Sequence, residues 1–464
     1  MARWQPDPSF YPSPRLAAQA PPEELAYVVT LNTEQNGSAK PDALVVVDTD
    51  PASSSYGAKV GRLDMPEAGD ELHHFGWNAC SSALCPYAPH PHVERRYLIV
   101  PGLRSSRTYV IDTLPEPANP KLLKVIEPKE LAERAGYSRP HTVHCGPDGI
   151  YMSALGNTDG DAPGGVFILD HESFDVLGRW EVERGPQELA YDFAWHLGYD
   201  TMLTSEWGTP NMVEGGLNPD LLGQFGRRVH VWDLRKRSHL QTLDLGEQQQ
   251  MVLELRPAHD PTKAYGFVGV VVSLADLSAS IWTWWLDGKE WKIKKTIEIP
   301  AEPADPSLLP PALQPFGAVP PLVSDIDLSV DDQFLYVSCW GTGEFQQYDV
   351  TDPFKPKLTG SVRLGGIVSK GTHPATDAAL NGGPQMVEIS RDGKRVYLTN
   401  SLYASWDAQF YPEGIRGWMV KLDADTDKGG LTPDPGFFVE FEGERPHQVR
   451  LQGGDASSDS YCYP

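Results

Sequence analysis

Short runs of Val, Ile, Leu, Tyr and Trp, each ended by a polar turn cluster, recur along the whole chain, whereas the spacing of an amphipathic helix is scarce. The 43 glycines and 42 prolines fall largely between these runs, where they punctuate rather than interrupt them. The pattern predicts an all-β protein. One kind of run repeats in recognisable form, an apolar or aromatic strand ending near Asp: ALVVVDTD (43 to 50), TYVIDT (108 to 113), VFILDH (166 to 171), HVWDLR (230 to 235), SIWTWWLD (280 to 287), FQQYDV (345 to 350) and WMVKLD (418 to 423). Seven occurrences at intervals of 50 to 73 residues are the mark of a repeat architecture with loops inserted between units.

Each signature is preceded by another strand, as in GIYMSA, FLYVSC and RVYLTN, entered through CGPDG, SVDDQ or SRDGK, where Asp and Gly suit a tight reversal. One further strand precedes the turn, and a fourth follows the signature, as in LTGSVRL. Four-stranded antiparallel units repeated seven times predict a seven-bladed β-propeller. The expected organisation is one domain over 1–464, with an N-terminal extension at 1–23 and loop insertions at 205–226, 300–321 and 365–383. Such insertions are either surface excursions or a lid over a channel mouth.

In a propeller the first strand of each unit lines the central channel. The candidates are HHFGWNAC (73 to 80), HTVHC (141 to 145), YDFAWH (191 to 196), VLELRP (252 to 257), SDIDLS (324 to 329) and PQMVEIS (384 to 390). A seventh is missing, because ELAYVVTL, ALVVVDTD and AKVGRL supply only three strands at the N-terminus. The ring is therefore expected to close by borrowing PHQVRL (446 to 451) from the C-terminus. That closure gives a reason for the echo between SRPHTVHC (138 to 145) and ERPHQVRL (444 to 451): both occupy innermost positions. It also gathers His73, His74, His141, His144 and His447 toward one end of the channel. Imidazole is the commonest ligand for borderline metals, so these five are candidate metal ligands; the alternative is hydrogen bonding within the channel. Because strand neighbours face opposite ways, a bulge or a strand-end position is needed for all five to converge. His196 and His259 read as structural, and His90, His92, His171, His230, His239 and His373 as loop or outer-strand residues.

Acidic residues outnumber basic ones 63 to 39, a net charge of −24, which argues against nucleic acid or anionic membranes as partners. No run resembles a secretory core or a membrane span, so a soluble, cytoplasmic protein is expected. The cysteines, Cys80, Cys85, Cys145, Cys339 and Cys462, are odd in number and far apart, and read as free thiols. Cys80 ends the inner strand that begins at His73, where a thiol is a metal ligand, a nucleophile or an inert buried group. Seven residues at roughly 3.3 Å each is about 23 Å of extended strand, too far to share a metal with His73 unless the chain turns at Gly76.

At ELHHFGWNACSS (71 to 82) the chain resembles the selenium-binding protein family, whose members include methanethiol oxidases. The likeness continues through HTVHC, GGVFILD, TSEWGTPN, FLYVSCW, QYDVTDP, SLYASWDAQFYP, DKGGL and GGDASSD, nearly the whole chain. The resemblance implies a seven-bladed propeller, selenium association at Cys80, and copper-dependent oxidation of methanethiol by O2 to formaldehyde, hydrogen sulfide and hydrogen peroxide. It places the family's histidines on His73, His74, His141, His144 and His447. Animal members read Cys-Ser-Ser-Cys where this chain has Ala83 in the last position, and they differ also at Thr342 and Ala456. Two other readings stand beside the oxidase: a non-catalytic selenium- or thiol-binding protein using Cys80, and a propeller serving as an interaction scaffold.

Overall fold

The computed structural model describes residues 7–32, 40–85, 88, 91–146 and 148–464. His90 lies outside the described residues. Seven four-stranded antiparallel sheets form the blades of a β-propeller. Blade 1 holds Leu25–Leu31, Pro41–Asp48 and Lys59–Ala68 with the C-terminal strand Arg445–Leu451 as its innermost member. Blades 2 to 7 follow in order, their inner strands being Gly76–Trp77, Tyr137–Cys145, Phe193–His196, Gln249–Pro257, Val323–Leu328 and Val387–Ile389. All seven Asp-terminated signatures are third strands of their blades, counted from the channel. The Asp acts locally. In Asp48, Asp112, Asp170, Asp233 and Asp349 a side-chain oxygen accepts the backbone N–H two residues on, which starts the turn toward the fourth strand.

Closure occurs as the missing inner strand required. Ala26 pairs with Leu451, Tyr27 with Arg450, Val28 with Val449, Thr30 with Pro446 and Leu31 with Arg445. On its other side the closing strand meets blade 2, where Phe75 N–H donates to Gln448 Oε1 at 2.5 Å and Trp77 Nε1 to the Leu451 carbonyl at 3.2 Å. The chain then runs on to the C-terminus and is pinned there. Asp459 lies between Arg95 and Arg391, with contacts of 2.6 and 2.5 Å and side chains almost wholly buried. Burial opposes its ionisation, but the two guanidinium groups prevail and hold the carboxyl below the usual range.

Two expectations need correction. The inner strand of blade 2 is not 73 to 80 but only Gly76–Trp77, because the flanking residues bend away into the channel on one side and into a short helix, Ser81–Leu84, on the other. Gly76 permits this: a Cβ there would stand 2.5 Å from the Val143 carbonyl of blade 3. Nor are all five cysteines free. Cys85 and Cys462 form a disulfide, their Cα atoms 5.4 Å apart across 377 residues, which tethers the C-terminal segment beside Cys80.

The three segments expected as insertions all contribute to one buried apolar cluster. Val213 and Phe225 come from the first, Leu309, Leu313 and Val319 from the second, and Ile367 from the third, packed with Trp207, Trp340, Tyr403 and Trp406. Among the described residues no helix is long and apolar enough to cross a membrane.

Removing the chain from Glu444 onward should leave strand Leu25–Leu31 as an open edge and the ring one strand short, giving aggregation or a broad melting transition. A soluble, cooperatively melting truncation would show that closure is dispensable. The milder change Asp459→Asn is expected to lower stability by about 3 to 5 kcal/mol, as for breaking a buried ion pair. Because the folded pKa lies below the unfolded value of about 3.9, the wild-type contribution is present above that pH and is lost only as pH falls through the lower, folded value.

Candidate metal centre

The inner strands are irregular at one level of the channel. The register slips between Pro140 and Val143 in blade 3, and the closing strand slips over the corresponding stretch, Pro446 to Val449. The repeated Pro-His-x-Val is thus a β-bulge written twice, each time with His inside it. A left-handed residue stands two positions before a channel-facing side chain in four blades: Glu71 (φ 53°) before His73, Arg139 (φ 58°) before His141, Met251 (φ 64°) before Leu253, and Leu322 (φ 51°) before Ser324. Such backbone costs about 1 to 3 kcal/mol at each non-glycine position, and here it re-aims side chains that strand alternation would turn away.

Four histidines converge as a result. The ring centroids of His73 and His447 are 3.6 Å apart, those of His74 and His141 4.0 Å, and His73 lies 5.0 Å from His141 and 5.2 Å from His74. All four are at most 2% exposed. The ligating atoms of His73, His74 and His447 lie within 4.8 Å of one another. Two nitrogens bound at about 2 Å to one ion stand no more than about 4 Å apart, so small ring rotations suffice to close them around it.

The other ring nitrogens fix which atoms are offered. His447 Nδ1 lies 2.6 Å from the Ser401 carbonyl, which can only accept, so Nδ1 carries the hydrogen and Nε2 presents its lone pair. His141 Nδ1 lies 3.1 Å from Thr142 Oγ1. His447 Nε2, His141 Nε2, His74 Nε2 and His73 Nδ1 are buried without a hydrogen-bond partner. Burial, and then the neighbouring imidazoles, hold His73, His74 and His141 well below the ordinary histidine pKa, and burial lowers His447 to about 3. Four neutral imidazoles with orphaned nitrogens, too costly to leave dry in an apolar core, form a donor set for a borderline metal ion.

His144 is not brought to this cluster. Its ring packs against Phe193 and Trp195, and it lines a separate cavity with Arg256, His259 and Tyr461. His196 and His259 bond backbone carbonyls of Lys263 and Ala456, and His239 pairs with His230, which bonds Glu206. Cys80 is also held elsewhere: Ser82 Oγ lies 2.8 Å from its sulfur, and the thiol donates to the Cys145 carbonyl at 3.6 Å.

The acidic neighbours of the cluster are not among the residues singled out from sequence. Glu254 Oε1, itself without a hydrogen-bond partner, lies 3.7 Å from His74 Nε2. Behind it Arg256 stands within 3.0 to 3.6 Å of Glu254, Asp192, Asp325 and Asp327. One guanidinium cannot neutralise four buried carboxylates. Burial and the Glu254 charge raise Asp192 and Asp325 well above the usual carboxylate range, and burial raises Asp327 to about 6. The signal was present as alternate acidic positions in VLELRP and SDIDLS, whose polar side faces the channel rather than solvent.

The model of the 56 kDa selenium-binding proteins matches residues 4–462. The chain belongs to that family. A solved structure from Sulfolobus tokodaii, a hypothetical selenium-binding protein, superposes with a TM-score of 0.96 at 59% identity, covering 99% of this chain and 100% of that one. Human methanethiol oxidase is 40% identical and Arabidopsis thaliana selenium-binding protein 3 is 39% identical, each alignment covering 97% of this chain and 97% and 96% of the relative. A Pseudomonas aeruginosa periplasmic gluconolactonase, at 12% identity and a TM-score of 0.56 over 92% of this chain and 99% of that one, shares the fold alone.

His141→Ala and His447→Ala are each expected to abolish stoichiometric metal binding while the protein stays folded, since these side chains carry little of the apolar core. His239→Ala should retain the metal in full. Equal metal content in all three variants, measured on protein purified without chelator, would remove the proposed site.

Proposed function

We propose that this protein is a copper-dependent oxidase of methanethiol, taking CH3SH, O2 and water to formaldehyde, hydrogen sulfide and hydrogen peroxide in the cytoplasm. The observation that carries this reading is the convergence of His73, His74, His141 and His447 with their free nitrogens turned inward. Relatives named methanethiol oxidase, at about 40% identity along nearly the whole chain, supply the substrate class. His144 is the one of the five candidate histidines for which no role at the metal follows.

The surroundings suit a very small apolar thiol. Trp207, Met251, Leu253, Leu322, Tyr403 and Trp406 line a narrow pocket that reaches His73, and Trp207 and Trp406 stand 5.8 Å apart over it. These walls exclude water and larger thiols. Bound copper would take the substrate as thiolate and relay its electrons to O2. Glu254, beside His74 and lacking a partner for Oε1, is placed to accept the thiol proton. Tyr191, whose ring lies 4.3 Å from that of His141, keeps the histidines from swinging apart.

A second reading, selenium binding at Cys80, is supported by a separate observation. Among the hydrogen-bond and charge partners of that thiol none is one of the four histidines. Both activities then fit in one molecule at two sites.

Metal analysis followed by assay of peroxide and sulfide from methanethiol tests the oxidase. The as-purified or copper-loaded protein should turn over, and removal of the metal should reduce the rate to background. A protein that stays inactive after copper loading overturns the reading. Cys80→Ser is expected to keep copper and most of the oxidase rate while losing selenium taken up from selenite; loss of all three would join Cys80 to the metal centre.

A further inference from the structure

Cys80 is not alone. The inner strands of blades 2 and 3 approach closely at Gly76, and this brings Cys80, just beyond one strand, against the last residue of the other, Cys145. The two thiols hydrogen-bond each other, and Ser82 Oγ lies between them at 2.8 Å from Cys80 Sγ and 3.6 Å from Cys145 Sγ. Burial works against ionising either. At Cys80 the hydrogen bonds from Cys145 and Ser82 prevail and lower the pKa, whereas at Cys145 the bond to Cys80 and burial both raise it. Buried Arg95 adds a favourable charge at Cys80. One sulfur is thus the nucleophile, and its neighbour holds a proton in reserve.

We propose that Cys145 is the second thiol of the Cys80 site, and that the pair holds one selenium atom as a bridge, Cys80–S–Se–S–Cys145. The inference rests on the reading of Cys80 as a selenium site. The donor is a selenotrisulfide of a small thiol, RS–Se–SR. Cys80 thiolate attacks selenium and expels RS−, which takes up the proton that Cys80 has lost. Cys145, its proton passing to the departing sulfur, then attacks the same selenium and expels the second RSH. Two S–Se bonds form and two break, selenium keeps its oxidation state, and no further oxidant or reductant is required. Release of bridged selenium needs two successive exchanges, the first of which is reversed by the adjacent protein thiol at high effective concentration. That is a chemical reason for a pair where one thiol could bind but not retain.

The site is closed in this structure: Cys80 is 1% and Cys145 3% exposed. The covering layer is the C-terminal segment, joined to the short helix by Asp459, which accepts the Ser81 N–H at 2.9 Å, and by the Cys85–Cys462 disulfide. Cutting the disulfide frees that segment at its end.

The test uses the intact chain, reduced, freed of reductant and treated with a selenotrisulfide of a small thiol such as glutathione. Non-reducing digestion and mass spectrometry should find the Cys80 and Cys145 peptides joined through one selenium, with no small thiol retained. In Cys145→Ser, selenium should remain only with its small thiol attached, and excess thiol should strip it on the order of a hundredfold faster than from the wild type. Selenium held by Cys145→Ser as firmly as by the wild type, or joined peptides containing no selenium, would overturn the bridge while leaving Cys80 as the binding residue. No uptake by the wild type would overturn the bridge together with the reading of Cys80 on which it rests. Unchanged melting of Cys145→Ser and Cys80→Ser shows that each variant is folded.

Discussion

The pairing of Arg445–Leu451 with Leu25–Leu31 is the constraint on which the rest of the molecule depends. Without it one blade lacks its inner strand, the sheet ring has two exposed edges, and the channel has no wall beside blade 2. The same pairing carries His447 to within stacking distance of His73 and leads the C-terminal segment across the opposite face of blade 2, over Cys80. Closure therefore builds the fold and both candidate sites in a single step, which explains why the terminal residues are held by a disulfide and a doubly paired Asp459.

The channel that results is electrostatically unbalanced. Four neutral imidazoles sit beside Glu254, Asp192, Asp325 and Asp327, with Arg256 the cation among these carboxylates, and Arg450 is drawn to Glu388 and Asp455. Buried carboxylates in excess either take protons or attract a cation. The raised pKa values of Asp192, Asp325 and Asp327 show the first response. A metal ion between the histidines would supply the second, and would let Glu254 remain ionised. The bulges that aim His141 and His447 inward belong to the same balance, since their strained backbone persists only if the converging side chains serve a function.

Chemistry is divided along the channel. One end gathers nitrogen ligands under an apolar cap built from three loop segments, where a small thiol is screened from water. The other gathers sulfur, with Cys80, Ser82 and Cys145 beneath the C-terminal chain. Separation keeps soft thiolates away from the imidazole site, where they would otherwise compete as copper ligands.

The strand pattern, the seven Asp-ended signatures and the count of inner strands were legible in the chain, because alternation and turn chemistry are local. So was the need for the C-terminus to close the ring, since three strands cannot make a four-stranded blade. The Pro-His-x-Val echo pointed to His141 and His447, and the His-His pair to His73 and His74. What sequence could not decide was direction and distance. The bulges brought four of the candidate histidines together, while His144, three residues from His141 on the same strand, was turned to Phe193 and Trp195. The Cys85–Cys462 bond and the Cys80–Cys145 contact join residues 377 and 65 positions apart, a proximity that exists only once the ring is closed. Glu254 and Arg256 looked like ordinary polar strand residues. Only the tertiary structure, by facing that side of the strand to the channel instead of to water, made them part of a site.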